Sequence, residues 1–259
     1  VTINGGNTKL QPEKSKSTTL GIVFEPFKEL TISVDWFRLN VKDIIRNGGV
    51  PVATILANPT LYASLIQRGP PDSTGIGRIT GIVQGLTNLG KVDVQGIDLD
   101  LKARVLTMAE HKVDLRMNGS YFQKYQTQNA DGSFSNAINI ASSTVPGVVL
   151  RWRHIAAVNY QSGPWNATLS QNFQNAYYDT RTALQAPTVP LREVAPYETF
   201  DLQGAYNGFK SMRIVVGIKN VLDRNPPYAN SGSGFIGSYD LSYADVRGRF
   251  AYTSVTYKF

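Results

Sequence analysis

Cysteine is absent from the 259 residues, so neither a disulfide nor a thiolate metal site can form. Histidine occurs only twice, and charged side chains make up 17% of the chain, against roughly 25% in an average soluble protein. Long apolar runs are missing too. No stretch approaches the roughly 18 consecutive apolar residues that a membrane helix requires, and the mean hydropathy is −0.19. These absences exclude a helical membrane protein but not one that crosses with strands, whose apolar residues sit at alternate positions and average out. The net charge is +7, yet Lys and Arg are spread along the chain with no dense run and no aromatic-basic motif, so no nucleic-acid partner is expected. An initiator Met and a signal peptide are also lacking; the chain reads as processed, or as a piece of something longer.

What the chain does contain is period-2 alternation, the mark of strands with one apolar and one polar side. Leu20, Ile22 and Phe24 share a face. Leu30, Ile32, Val34 and Trp36 oppose Thr31, Ser33 and Asp35. Ile97, Leu99, Leu101, Ala103 and Val105 alternate with Asp98, Asp100, Lys102 and Arg104. Val113, Leu115, Met117, Gly119 and Tyr121 alternate with Asp114, Arg116, Asn118 and Ser120. Val148, Leu150, Trp152, Ala156 and Val158 oppose Arg151 and Arg153. Three further segments repeat the pattern at Trp165–Phe173, Phe200–Tyr206 and Met212–Lys219, and a ninth ends at Phe259, with Val255 and Tyr257 on its apolar side. Segments of about nine to twelve residues match a tilted strand crossing a hydrocarbon core about 30 Å thick. A soluble β-sandwich would show the same alternation.

Connection lengths separate the two. Short links at Glu25–Glu29, Leu106–Lys112, Gln161–Pro164 and Asn207–Ser211 alternate with long ones at Lys42 to about Val94, Thr127–Val145, Tyr178–Pro196 and Asn225–Gly248. In an up-and-down meander this sorts all long loops to one end, as in outer-membrane barrels with short periplasmic turns and long extracellular loops. Aromatics cluster near the short links (Phe24, Phe27, Tyr160, Trp165, Tyr206, Phe209, Tyr257, Phe259) and again toward the long loops (Trp36, Phe37, Tyr121, Phe122, Phe173, Tyr177), the two girdles of a barrel in a bilayer. Within the first long loop, residues 58–70 read as a short helix with Pro59 in its first turn and Gly69-Pro70 ending it. Arg78–Thr87 and Lys91–Gln95 read as a ladder turning at Asn88-Leu89-Gly90.

Four segments carry a family resemblance. Asn7-Thr8-Lys9-Leu10-Gln11-Pro12-Glu13-Lys14-Ser15 resembles the N-x-x-L-x-P-E-x-S lead-in to a barrel strand of TonB-dependent outer-membrane receptors. Asn88-Leu89-Gly90 through Gly96-Ile97-Asp98 resembles their N-x-G-x-x-x-x-x-G-x-[DE] strand. Val216-Gly217-Ile218-Lys219-Asn220-Val221-Leu222-Asp223 resembles V-x-N-L-F-D, and Tyr257-Lys258-Phe259 the terminal signature. The resemblance implies an all-β fold: an antiparallel up-and-down transmembrane segment of about nine long strands, part of a 22-stranded barrel. Residues 1–259 would be the C-terminal portion, without plug domain or TonB box. It implies active uptake of a scarce ligand such as a ferric siderophore, cobalamin or saccharide, in the bacterial outer membrane. The partners implied are outer-membrane lipid, the missing N-terminal strands and plug, the TonB complex through the parent protein, and the barrel-insertion machinery reading Val255, Tyr257 and Phe259. A passive porin-like channel and a soluble carbohydrate-binding sandwich are the alternatives.

No enzyme is expected. His111 reads as a solvated turn residue. His154 falls on the apolar side by parity, which suggests a bulge or a rim position. Neither has a nucleophile or carboxylate at a recognisable spacing. The Gly232–Gly237 match to G-x-G-x-x-G lacks the strand–turn–helix context that dinucleotide binding needs. No metal-ligand cluster appears and no cofactor is expected. Ligand candidates are the loop residues Tyr177, Tyr178, Arg181, Tyr228, Phe235, Tyr239 and Tyr243, since aromatics with Arg suit a planar or sugar-like ligand; packing of loop on loop is the other reading of the same residues. Arg104, Arg116, Arg151, Arg153 and Arg213 are expected to face the lumen, most simply as paired charges.

Overall fold

A computed structural model describes residues 1–3, 5–47, 50, 52–71, 73, 75–88, 90–129, 132–141, 148–179, 188–230 and 238–259. Nine long strands form: β1 (Lys14–Phe27), β2 (Leu30–Lys42), β3 (Lys91–Met108), β4 (His111–Gln128), β5 (Trp152–Ser162), β6 (Trp165–Gln174), β7 (Tyr197–Tyr206), β8 (Met212–Lys219) and β9 (Phe250–Tyr257). Each is hydrogen-bonded to the strand before and after it in the chain. The pairings from β4 to β9 are antiparallel. β1 and β9 are the two edges and are not neighbours. A tenth, short strand, Phe134–Asn136, pairs with β4 off this path.

The links sort as the alternation of lengths requires. Two residues separate β1 from β2, β3 from β4 and β5 from β6, while loops of tens of residues follow β2, β4, β6 and β8. Left-handed backbone closes two of the tight turns: Ala109 at φ 50° and Gly163 at φ 51°. β3 and β4 run to 18 residues each, longer than expected; neither contains a proline that would interrupt the pairing. His111 is the first residue of β4 and not a turn residue. Val148 and Leu150, read as strand residues, precede β5 and pack among the loops.

Register carries the alternation across the sheet. Leu115, Val158, Leu169, Leu202, Ile218 and Ala251 form one continuous row over six strands. Val158, Leu169 and Leu202 in it are exposed. On the opposite face Asp114, Asn159, Thr168, Gln203, Gly217 and Tyr252 form the matching polar row. An uncovered apolar row of this extent marks a lipid-facing or partner-facing surface. Near the short links the aromatics touch: Trp165 and Tyr206 at 4.6 Å, Tyr206 and Phe209 at 5.1 Å, Tyr257 and Phe259 at 5.2 Å between centroids. Toward the long loops the aromatics are divided. Phe37 and Phe122 share the parity of Asp35 and Ser120, and meet edge to face at 5.9 Å on the polar side.

By spatial clustering the chain divides into two compact units. The sheet just described belongs mainly to one of them, 18–38, 95–125 and 136–259. The other gathers 1–17, 39–94 and 126–135. In this second unit the helix lies at Val52–Ala57, ahead of the predicted span, with one 3-10 turn at Ala63–Leu65. Pro59 permits this: it disfavours the α conformation at the residue before it, so Asn58-Pro59 can end a helix as well as start one, and the fully buried Ile55 fixes the helix ahead of it. Asn58 Nδ2 donates to the Thr54 carbonyl at 3.2 Å. Gly69-Pro70 lies in a strand, Ile66–Pro71, paired with Gly77–Val83. The ladder predicted between Arg78–Thr87 and Lys91–Gln95 does not form. Gly77–Val83 also pairs with Thr2–Ile3, and Leu86–Asn88 pairs with Ile45–Asn47.

Gly96 has no room for a side chain: a methyl group there would sit 2.5 Å from Phe37 Cζ and 2.9 Å from the Tyr121 carbonyl. Gly204, on the apolar face, has nothing within 4 Å. Gly96→Val is expected to cost roughly 1–3 kcal/mol through overpacking, while Gly204→Ala is neutral. Urea midpoints of the two variants, read by the change in electrophoretic mobility on unfolding, check the contrast.

Candidate functional site

The polar face holds a ladder of charge and amide. Arg104 grips Asp114 with two nitrogens, Nε to Oδ1 at 2.8 Å and Nη2 to Oδ2 at 3.3 Å. Asp98 accepts from Ser120 Oγ at 2.6 Å, and Asp100 accepts from Asn118 and pairs with Lys102. Asn159 donates to Asn166 and Thr168. Tyr252 lies over Gly217, where a side chain would collide with its ring, and its hydroxyl donates to Gln203 at 2.9 Å. Of the arginines expected here, Arg104 is paired with Asp114. Arg116, Arg153 and Arg213 form no ion pair among the described residues. Arg116 and Arg213 line one hollow with Asn159 and Gln203; Arg153 lines another with Asp35, Asp98 and Asp100. Arg151 precedes β5, and its guanidinium lies 5.9 Å from the centre of the Tyr121 ring.

The loops after β6 and β8 are clasped by a buried carboxylate. Asp179, 0% exposed, accepts from Arg192 Nη2 at 2.7 Å and from the Asn230 backbone N–H at 2.6 Å. Arg192 also donates to the Tyr228 carbonyl at 2.7 Å and stacks its guanidinium 4.3 Å from the centre of that ring. Beneath the clasp Ala141, Leu150, Tyr177, Val194 and Ala229 form an apolar core, with Tyr243 meeting Tyr177 edge to face at 5.8 Å. Burial pushes the Tyr243 hydroxyl well above the usual phenol range, and its hydrogen bond with Tyr177 adds to this. Arg247, hydrogen-bonded to Asp245, holds that carboxyl down at about 2.

The loop candidates therefore divide. Tyr177 is 1% exposed and is a packing group. Tyr178 (48%) and Tyr228 (56%) are open to solvent, and Tyr239 is half-buried. Arg181, Phe235 and the Gly232–Gly237 segment lie outside the described residues. Asp179, Arg192 and Asn230 were not singled out from sequence; an Asp and an Arg thirteen positions apart in a loop carry no periodicity to reveal them. His111 Nδ1 lies 2.8 Å from the Tyr160 hydroxyl. His154 sits on the apolar face without the bulge that parity suggested, since β5 pairs in unbroken register on both sides.

The family motifs are structural fasteners. Asn88 Oδ1 accepts from the Gln11 N–H at 2.8 Å, and its Nδ2 donates to the Gln11 and Asp43 carbonyls, both at 2.7 Å. Asn7 Nδ2 donates to the Leu86 carbonyl at 3.0 Å, and Glu13 Oε1 accepts from the Ile45 N–H at 2.7 Å. After β8, Asn220 (φ 49°) and Asp223 (φ 54°) both take left-handed backbone. Asn220 and Arg224 exchange two hydrogen bonds of 2.9 Å, and Asp223 accepts from the Arg249 N–H at 2.8 Å.

The family model described as TonB dependent receptor-like, beta-barrel, matches residues 1–221. The chain belongs to the TonB-dependent receptor family. Members of this family are transport receptors of the outer membrane that contain a plug domain and work with TonB. No curated protein sequence matches the chain. Solved structures do. A variant of the ferric enterobactin receptor PfeA from Pseudomonas aeruginosa aligns with TM-score 0.64 and 18% identity over 95% of this chain and 31% of its own. The siderophore receptor PirA from Acinetobacter baumannii aligns with TM-score 0.63 and 18% identity over 99% and 33%. The copper transporter OprC aligns with TM-score 0.57 and 17% identity over 97% and 33%. At such identities the likeness is one of fold. The chain spans about a third of the length of these proteins.

Arg192→Ala takes one ion-pair partner from the buried Asp179 carboxylate. Removing one member of a buried pair costs about 3–5 kcal/mol; with Arg192 itself 40% exposed, about 1–3 kcal/mol of local loop stability is the expected loss. Hydrogen exchange in 188–194 and 225–230 of the full-length protein should rise while the strands keep their protection. For Asp245 the folded value lies below the ordinary carboxyl value of about 3.9. Its contribution is therefore present above about pH 4 and is lost as pH falls through about 2. Arg247→Gln is expected to return the carboxyl toward its ordinary range, read by carbon NMR titration.

Proposed function

We propose that the chain supplies C-terminal strands of an outer-membrane receptor that takes up a scarce ligand, energised through TonB, and that the ligand meets the long loops before it passes inward. The observation that carries this reading is the clasp: family membership sets the reaction class, and Asp179 and Arg192 of the loop after β6 bond to the Asn230 N–H and the Tyr228 carbonyl of the loop after β8, with Tyr178 and Tyr228 left open on them. Loops held by a rigid sheet are where binding residues concentrate. Ferric siderophore, cobalamin and saccharide remain the ligand classes proposed; the named cargo of similar structures includes ferric enterobactin and copper, and both are metal-containing. Arg116 and Arg213 face the plug that such a receptor carries. Val255, Tyr257 and Phe259 serve barrel insertion, with the Phe259 ring fully exposed beside Tyr257.

In cells expressing the full-length receptor, Tyr178→Ala with Tyr228→Ala is expected to weaken ligand binding about tenfold, equivalent to about 1.4 kcal/mol, without lowering the amount of barrel in the membrane. Uptake should stop when a protonophore collapses the proton gradient. Uptake that persists would identify a passive channel, and loss of barrel with affinity intact would make the two tyrosines packing groups.

A further inference from the structure

The apolar face is interrupted by a chain of hydrogen bonds that neither the transport reading nor the girdles account for. Trp152 Nε1 donates to His154 Nδ1 at 2.9 Å. His154 Nε2 lies 3.3 Å from Gln171 Oε1, and Gln171 Nε2 donates to Glu198 Oε2 at 3.1 Å. Arg224 closes the series, donating Nη1 to Glu198 Oε1 at 3.0 Å and Nη2 to the Pro196 carbonyl at 3.0 Å. The direction is forced. Indole nitrogen only donates, so His154 Nδ1 accepts and the ring proton sits on Nε2, facing the Gln171 oxygen. The Gln171 amide nitrogen is then left to donate to Glu198.

His154, Phe173 and Glu198 are register partners across β5, β6 and β7, on the same face as Val158, Leu169 and Leu202. The strip lies four residues beyond the apolar row, about 13 Å along the strand at about 3.3 Å per residue, toward the long loops. Its charged end is open: Glu198 is 35% and Arg224 41% exposed. A carboxylate and a guanidinium facing hydrocarbon would be expensive, whereas Trp and polar groups suit the headgroup layer.

Resting on the membrane reading above, we infer that the strip Trp152–His154–Gln171–Glu198–Arg224 is a docking line for lipid headgroups: it sets the outer limit of the hydrocarbon band on β5–β7 and offers Arg224 to headgroup phosphates and the amide and carboxylate to hydroxyls.

The chain has no cysteine, so a label placed in it is single once any cysteine elsewhere in the receptor is replaced by serine. Nitroxides at Phe173→Cys and Leu169→Cys, in the full-length receptor reconstituted into phosphatidylethanolamine–phosphatidylglycerol vesicles, report collisions with oxygen, which concentrates in hydrocarbon, and with a water-soluble nickel chelate. Oxygen should dominate at 169, and the chelate should reach 173. Combining His154→Leu, Gln171→Leu and Glu198→Leu should let hydrocarbon climb and raise the oxygen-to-chelate ratio at 173 at least threefold; Gln171→Leu alone, which cuts the series midway, serves if the triple variant does not fold. Oxygen dominance at both sites in the parent, or an unmoved ratio in the variants, overturns the inference. So does a label at 173 that neither reagent reaches, which would mean a protein covers the strip. Chelate access at both sites would instead refute the membrane reading itself.

Discussion

Backbone pairing between successive strands is the constraint on which everything else in this chain rests. A strand that faces hydrocarbon on one side cannot leave its N–H and C=O groups to water, so each must bond to its neighbours in the sheet. Once β4 pairs with β5, β5 with β6, and so on to β9, the side chains have no freedom of face. One register places Leu115, Val158, Leu169, Leu202, Ile218 and Ala251 in a line. A slip of one residue in any strand would turn its apolar set onto the charged side.

That constraint explains why chemistry is pushed to the margins. Strand centres are committed, on one face to apolar contact and on the other to the ladder of Asp, Asn, Gln and Arg. Solvent-exposed polar and aromatic groups lie toward the ends of the long strands and beyond them: Tyr178 after β6, Arg192 and Tyr228 in the loops, Glu198 at the start of β7. The buried Asp179 is the exception that makes the loops usable. A carboxylate with no exposure needs partners; Arg192 in its own loop and the Asn230 N–H in a loop distant in sequence are two of them. The same need for satisfied polar groups shapes the family motifs. Asn88 and Asn220 each use a side-chain amide where the backbone turns away and a main-chain partner is missing.

Polar groups on the apolar face follow this rule as well. His154 looks misplaced by parity alone. In the sheet it becomes the middle of a directional series in which the indole, imidazole and amide groups each find a partner, and the series ends at the rim in the Glu198–Arg224 pair. The polar face shows the converse case, with Phe37 packed over Gly96 and meeting Phe122 edge to face. Alternation is thus a strong rule with local exceptions, and each exception is compensated by a specific contact.

The number of strands, their order, the sorting of short and long links, and the membership of Leu20, Val158, Leu202 or Val255 in the apolar face were all legible from sequence, because a strand's side-chain period is local and reports directly on the surface it meets. Loop structure was not. The helix was expected at 58–70 and lies at Val52–Ala57, since Pro59 reads equally as a first-turn proline or as the end of a preceding helix, and only the packing around Ile55 decides. Arg78–Thr87 found partners in Ile66–Pro71, Thr2–Ile3 and Ile45–Asn47, which no short-range pattern names. Tyr177 and Tyr178 are adjacent and chemically identical, yet one is buried and the other open. Their separation depends on which side of a short strand meets Val194 and Tyr243, and that is a property of loops assembled in space, with no counterpart in the spacing of residues along the chain.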